Sequence, residues 1–532
     1  MKKTTLCFAL LAVVLLSCNG NVPEPDNTGS KIDETLDKHE NISEAETVKN
    51  SYDIFYKPIN GVTGDPMPFY HEEEQIFYVY FLLGRFSGYP GGGVYLTKTK
   101  DFTQFMPAKS PMPQILTGPQ NTYDENIGTG SCIKRGNMYH FFYTAFQYPS
   151  SATKATFSGT NLNNAQWIKQ PTLQVKAPYF CQKGEFRDPH VYWDDTRGKY
   201  VMAVAGHSND GHGIIVRFQS DDLDAWEEIP PILNAENQNN PQIYEYSSDT
   251  YIPECPDIFK MGDKWYLVFS RLNRDNHRKV FYRVADKPDG PWRICTDENG
   301  QHETFDGLWL YAAKTVSDGT NRYILGWASV GQDKQPGINE LIWGGNLVTH
   351  KLVQQPSGKL YPAIPDAIDA KFSKSVEYKV IKQTGGIVES DNIFTLGNGD
   401  KIVFNRNIPN LKIEMRIDAS QAEKGFGIAF GAYEEQQDSY KLTFDMSKNN
   451  AYGCPALFMY HAGKEYNFTP LIVPNNKQFD VKIIIEKQLC VMYINNNVAF
   501  TNHISNMERN PWAIFADQGT IKVSNISIKK IP

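Results

Sequence analysis

The apolar positions of the first 365 residues keep no helical period. They fall in short aromatic runs behind Gly-bearing or charged turns: HEEEQIFYVYF, RGNMYHFFYTAF, TRGKYVMAVAG, GDKWYLVFSR and GTNRYILGWAS. Aligning the runs superposes Tyr78, Tyr139, Tyr200, Tyr266 and Tyr323, at separations of 61, 61, 66 and 57 residues. A second element recurs between several of them, in VYLTKTKDFTQF, IIVRFQSDDLDAW and FYRVADKPDGPW. Each reads as a strand, a short turn and an aromatic that begins the next strand. A repeat of about 60 residues made of several short strands predicts an all-β fold, a five-bladed β-propeller of four-stranded blades over residues 51–365. No long segment between the runs carries a 3.6-residue apolar pattern, which disfavours a parallel α/β fold. Beyond it, LKIEMRID, YKLTFDM, FDVKIIIEK and CVMYINNNVAF alternate apolar and polar positions between Asn-, Gly- and Lys-rich turns. That alternation predicts a β-sandwich over residues 370–532.

The N-terminus follows other rules. MKKTTLCFALLAVVLLSC begins with Lys2 and Lys3 and continues into an apolar run too short for a membrane span, the pattern of a secretion signal over residues 1–17. Its end, Leu15-Leu16-Ser17-Cys18, resembles a bacterial lipobox, in which cleavage before Cys18 leaves a thiol to be acylated. Residues 18–50 are polar and include Pro23, Pro25 and Gly29; they bury too little to fold and read as a tether. The expected location is therefore the bacterial cell envelope, with the membrane as partner through the lipid anchor alone. The charge balance of 53 Lys+Arg against 60 Asp+Glu leaves a net −7 and no basic stripe, which argues against a nucleic-acid partner. Cys132, Cys181, Cys255, Cys295, Cys454 and Cys490 form no CxxC pair or zinc spacing, and the histidines are scattered; no metal or cofactor is called for.

Candidate chemistry emerges when acidic residues are counted back from the repeat tyrosines. Asp65 lies 13 residues before Tyr78, Asp188 lies 12 before Tyr200, and Glu254 lies 12 before Tyr266. Each sits in a Pro-containing motif: Thr63-Gly64-Asp65-Pro66, Phe186-Arg187-Asp188-Pro189 and Ile252-Pro253-Glu254-Cys255-Pro256-Asp257. An Asp-Pro pair alone often does no more than start a turn. Three acids at matching repeat positions instead predict convergence at the mouth of a propeller channel. Like charges so confined repel, and function is the usual reason to tolerate it. Glycoside hydrolysis uses such a set: one ionised carboxylate as nucleophile or base, one protonated to donate to the leaving oxygen, and a third to steady positive charge and hold hydroxyls.

At these motifs the chain resembles glycoside hydrolase family 32, the invertase, inulinase and levanase family, from about Tyr52 to the C-terminus. Arg187-Asp188-Pro189 is similar to the family's RDP motif, and Glu254-Cys255-Pro256-Asp257 to its EC motif. Gly128-Thr129-Gly130-Ser131 resembles an SGS-type segment, and Asp306-Gly307-Leu308-Trp309-Leu310-Tyr311-Ala312-Ala313 a late motif before the Gly326-Trp327 strand. The resemblance implies a retaining hydrolase acting on oligo- or polysaccharide β-fructofuranosides, with Asp65 as nucleophile, Glu254 as acid/base and Asp188 as transition-state stabiliser. It implies that Arg187 contacts sugar hydroxyls, and that Thr129, Trp309 and Tyr311 touch substrate. The sequence departs from the family around Asp65, where Asn normally flanks Asp-Pro and Gly follows. Here Gly64, Met67 and Pro68 stand in those places. Loss of those amides leaves two alternatives open: another furanoside, such as an arabinofuranosyl glycan, or a non-catalytic glycan-binding lipoprotein.

Overall fold

The computed structural model describes residues 52–58, 61–85, 92–107, 113–232, 250–273, 278–297, 300–329, 343–406, 410–431, 439–504 and 510–532. The expected signal, Cys18 and the tether lie outside the described residues. Within them the chain is almost all β, and every strand pairing is antiparallel. The α-helix described is Asp366–Lys371, which separates two groups of sheets.

In the N-terminal group each sheet is a meander. Cys181–Asp194, Lys199–Ser208, Gly213–Ser220 and Glu227–Ile232 pair in that order, and Thr250–Met261, Lys264–Asn273 and Arg278–Ala285 repeat the plan. Ile127–Arg135, Met138–Ala145 and Ser151–Ser158 do the same. One larger sheet joins Gly61–His71, Ile76–Arg85 and Gly93–Thr99 to Leu310–Ser317, Arg322–Ser329 and Gly345–Gln354, through the pair Thr63 and Gly345. The aromatic runs of the sequence are the second strands of these meanders.

Those second strands are apolar on both faces because both faces are covered. In Ile76–Arg85, Tyr78 and Tyr80 pack with Tyr139, Phe141 and Tyr143 of the next sheet. On the other face Phe77, Val79 and Phe81 pack with Leu310 and Leu325. In Lys264–Asn273, Trp265, Leu267 and Phe269 join Val201 and Ala203 of the preceding sheet, while Tyr266 and Val268 join Ala313 and Ile324 of the following one. Period-2 alternation is lost where a sheet is buried on two sides, so these strands read as near-continuous apolar runs.

The C-terminal group follows the other pattern. Asn410–Gln421 points Leu411, Ile413, Met415 and Ile417 into one core and leaves Arg416 exposed. Its sheet also contains Gln478–Glu486, Leu489–Ile494 and Thr520–Lys530. The facing sheet, with Lys424–Phe430, Tyr440–Asp445 and Pro511–Ala516, contributes Phe426, Ile428, Phe444 and Trp512 to the same core. Two sheets sharing one apolar layer make a sandwich. Its first sheet turns Ile484, Leu489, Val491 and Tyr493 onto the N-terminal group, against Leu347 and Val348. Glu486 on that face accepts the backbone N–H groups of Asp53, Ile54 and Phe55, fixing the start of the described chain.

Candidate active site

The first strand of each N-terminal meander loses register with its neighbour at a matching point. Gly64 to Met67, Ile127 to Gly130, Arg187 to His190, Glu254 to Asp257 and Tyr311 to Lys314 each hold one residue more than the partner segment opposite. These are β-bulges, which bend a strand and re-aim its side chains. The second position is left-handed at Asp65 (φ 38°), Asp188 (φ 64°), Cys255 (φ 51°) and Ala312 (φ 50°).

Aligning the bulges corrects the count from the tyrosines. Asp65 and Asp188 share the second position, which Cys255 fills in its own strand; Glu254 takes the first position, with Arg187 and Tyr311. The tyrosines are not a strict ruler. Tyr266 stands four residues before Ser270, the partner of Glu254, whereas Tyr200 stands five before Ala205, the partner of Arg187. A slip of one residue moves a strand side chain to the opposite face. Acids from adjacent bulge positions nevertheless meet, as their contacts show.

Both oxygens of Asp65 are held: Thr129 Oγ1 donates to Oδ2 at 2.6 Å and Trp327 Nε1 to Oδ1 at 3.0 Å. Glu254 accepts Arg187 Nε (3.1 Å) and Nη2 (2.9 Å) at Oε1, and the Tyr311 hydroxyl (2.5 Å) at Oε2. Arg187 also binds Glu185, whose other oxygen accepts the Tyr251 hydroxyl at 3.0 Å. Asp188 is buried; its Oδ2 accepts the Cys255 N–H at 2.9 Å, and its own N–H donates to Thr144 Oγ1 at 2.7 Å. Thr144 in turn donates to the Thr129 carbonyl at 3.1 Å, tying the strand that serves Asp65 to the strand that carries Asp188.

Burial pushes the Asp188 carboxyl up to about 6. The charge of Glu254 contributes to this rise, Arg187 opposes it, and Asp65 adds a smaller upward push. One carboxyl thus feels both of the others, which places the three in a single electrostatic site.

Of the residues expected to touch substrate, Thr129, Arg187 and Tyr311 do gather here, as donors that orient the carboxylates. Trp309 does not. It is buried in the sandwich core cluster, its Nε1 donating to the Tyr466 carbonyl at 3.2 Å and its ring 5.4 Å from that of His503. It precedes the strand Leu310–Ser317, in a segment docked on the C-terminal sheets. The sequence motifs assign no role to Trp327, Thr144 or Glu185. Trp327 had a usable signal: four residues after Tyr323 in the repeat, it is the cross-strand partner of Tyr311.

Residues 56–363 match the glycosyl hydrolases family 32 N-terminal domain, and residues 358–528 match the GH32, BT1760-like, C-terminal domain. The chain belongs to glycosyl hydrolase family 32. This family 32 glycoside hydrolase is 23% identical to a sucrose-6-phosphate hydrolase of Vibrio alginolyticus, over 74% of this chain and 81% of that one. It is 21% identical to a levanbiose-producing levanase of Bacillus subtilis (strain 168), over 65% of this chain and 64% of the levanase. In fold it is similar to fructan 1-exohydrolase IIa from Cichorium intybus, with a TM-score of 0.68 at 15% identity, covering 90% of this chain and 97% of that one.

Proposed function

We propose that this family 32 hydrolase cleaves β-fructofuranosides of oligo- or polysaccharides with retention of configuration, from the centre of a closed five-bladed propeller. The observation that carries the reading is the gathering of three carboxylates, with Asp65 and Glu254 each held by donors on both oxygens and the buried Asp188 feeling the charge of both. Asp65 has a donor on each oxygen, which favours the ionised form a nucleophile needs. Its attack on the anomeric carbon forms a glycosyl-enzyme ester while Glu254 gives a proton to the departing oxygen. Glu254 then takes a proton from water, whose oxygen releases the sugar and restores Asp65. Asp188 steadies the positive charge of the transition state, and Arg187 holds hydroxyls.

Support for the propeller comes from packing order. Strand Gly61–His71 contacts Ile127–Arg135, which contacts Cys181–Asp194, which contacts Thr250–Met261, which contacts Leu310–Ser317, which contacts Gly61–His71 again. Support for a fructan substrate comes from the named activities of the levanase and the fructan exohydrolase that the chain resembles. The N-terminal motif ending in Cys18 supports a lipid-anchored protein of the cell envelope. Cys18→Ala should move it to the soluble fraction.

The deciding experiment measures sugar release from levan, inulin, sucrose and arabinofuranosyl glycans by wild type, Asp65→Asn and Glu254→Gln. Fructose release that falls by roughly 10³-fold or more in both variants is expected. Turnover in methanol should give methyl β-fructofuranoside; the α-anomer would exclude retention. Arabinose release would move the substrate, and wild-type silence on the panel would overturn the reading.

A further inference from the structure

The strand Cys181–Asp194 has a second, larger irregularity just ahead of the bulge at Asp188. Cys181 pairs with Ser208 and Phe186 with Gly206, so Gln182, Lys183, Gly184 and Glu185 stand opposite His207 alone. The extra chain arches out of the ladder between two buried side chains, Cys181 and Phe186. The arch is pinned. The Ser150 N–H and hydroxyl donate to the Lys183 carbonyl at 2.9 and 3.0 Å, and Gln182 Nε2 donates to the Ser208 carbonyl at 3.3 Å. A Cβ on Gly206 would lie 2.9 Å from Cys181 Sγ, so the partner strand is bare where the arch begins.

What the arch delivers is Glu185. Its Oε2 accepts Arg187 Nη1 at 2.5 Å and its Oε1 the Tyr251 hydroxyl at 3.0 Å. Tyr251 is set in turn by His207, whose Nδ1 donates to the Tyr251 carbonyl at 2.5 Å and whose ring lies 4.4 Å from the tyrosine ring. Arg187 gives its other edge, Nε and Nη2, to Glu254 Oε1. Among the described residues the guanidinium is thus divided between two carboxylates. The side chains of Glu185, Arg187 and Glu254 are 27, 15 and 19% exposed, so solvent screens their charges only in part. Burial works against the charge on Arg187, but the charges of Glu254, Asp188 and Glu185 outweigh it and drive its proton affinity up.

This division has a chemical use. A guanidinium held on a carboxylate favours the ionised form, yet the proposed reaction begins with a proton on Glu254. The other titratable groups about Glu254 are the Tyr311 hydroxyl, Asp188, Asp65, its neighbour Cys255, and Lys314, which donates to the Pro256 carbonyl at 3.1 Å. None of these takes a hydrogen bond from Arg187 among the described residues; Glu185 does. Its negative charge offsets that of the guanidinium beside the acid. We infer that Glu185, carried in by the arch, is a positioning residue for the acid/base: by sharing Arg187 it lets Glu254 keep its proton while the other edge of the guanidinium still orients that carboxylate. The inference rests on the proposed role of Glu254.

The test follows kcat/KM against pH for wild type, Glu185→Gln, Glu185→Ala and Tyr251→Phe, on a fructan oligosaccharide and on an aryl β-fructofuranoside whose nitrophenolate departs without a proton. Glu185→Gln keeps an acceptor for Arg187 and Tyr251 and removes the charge. With that charge gone Glu254 gives up its proton at lower pH, so the alkaline limb of the oligosaccharide profile should move down by roughly one unit. The plateau below the limb should stay within roughly threefold of wild type. On the aryl fructoside the variant should match wild type through the same pH range. Glu185→Ala should shift the limb in the same direction, so the profile is read even if one variant folds poorly, and Tyr251→Phe, which leaves the charge in place, should shift it less. A limb that stays in place in a variant with wild-type thermal unfolding, or a loss equal at every pH and on both substrates, would overturn the inference. Wild-type inactivity on every fructoside would instead overturn the proposed function.

Discussion

Asp188 is the residue at which function and stability pull apart. Its carboxyl is buried near two other acids and pushed up to about 6, so the native state binds its proton more tightly than the unfolded chain does. A raised carboxyl subtracts stability as pH climbs from the unfolded value, about 3.9, through about 6, and the cost is complete above that window. Asp188→Asn keeps an acceptor for the Cys255 N–H and removes the charge. Thermal unfolding should therefore show the variant more stable at pH 8, by on the order of 2 kcal/mol, with the gain vanishing near pH 4. Activity should fall by orders of magnitude at every pH. A stability gain independent of pH would mean that the Asp188 charge is not its source. The acid itself was legible in the sequence as Arg187-Asp188-Pro189. Its elevated proton affinity was not, because that depends on Glu254 and Asp65 approaching from other strands.

At the scale of the element, the bulges do the positioning, and the second of them tolerates no side chain. A Cβ on Gly130 would lie 1.7 Å from the Phe142 carbonyl oxygen of the paired strand. The Gly130 N–H also reaches Met67 Sδ at 3.0 Å, linking this bulge to the one at Asp65. Gly130→Ala must push Ile127–Arg135 away from Met138–Ala145, carrying Thr129 off Asp65. A loss of about 1–3 kcal/mol in denaturant unfolding is expected. It should come with a fall in kcat that Thr129→Val reproduces without the stability loss; unaltered stability in Gly130→Ala would show that the strands can part freely. The repeat of aromatic second strands marks in the sequence where these elements lie. The bulges were invisible to a count from tyrosines, since an extra residue in one strand shifts register without changing composition, which is why Glu254 was matched to Asp188 rather than to Arg187.

At the scale of the whole molecule, the sandwich is joined to the active-site sheets by a buried polar knot as well as by apolar surface. Asp306, fully enclosed, accepts the Gly307 N–H, the Thr501 N–H at 2.7 Å and the Thr501 hydroxyl at 2.5 Å, and its Oδ2 lies 3.0 Å from His350 Nε2. His350 Nδ1 meets the Tyr493 hydroxyl at 2.8 Å, and Asn467 of the sandwich accepts the Leu308 N–H at 2.7 Å while donating to the Thr501 carbonyl. Trp309 shows the difference between sequence and structure here: its motif next to Tyr311 resembles a substrate contact, and only the docking of the second group of sheets gives it another partner. The chain from Asp306 runs directly into Tyr311 and its bond to Glu254, so the knot is connected to the chemistry. Asp306→Ala strips an acceptor from buried donors on both sides of the junction, and removing one member of such a network costs on the order of 3 kcal/mol or more. Calorimetry should show one transition for wild type and a lowered, split transition for Asp306→Ala, with kcat reduced because Tyr311 loses its anchor. A single transition at unchanged temperature would assign the coupling to the apolar contacts of Ile484, Leu489 and Val491 instead. A split transition with full kcat would separate the two roles, leaving the knot as mortar between the halves and Tyr311 held by its own strand.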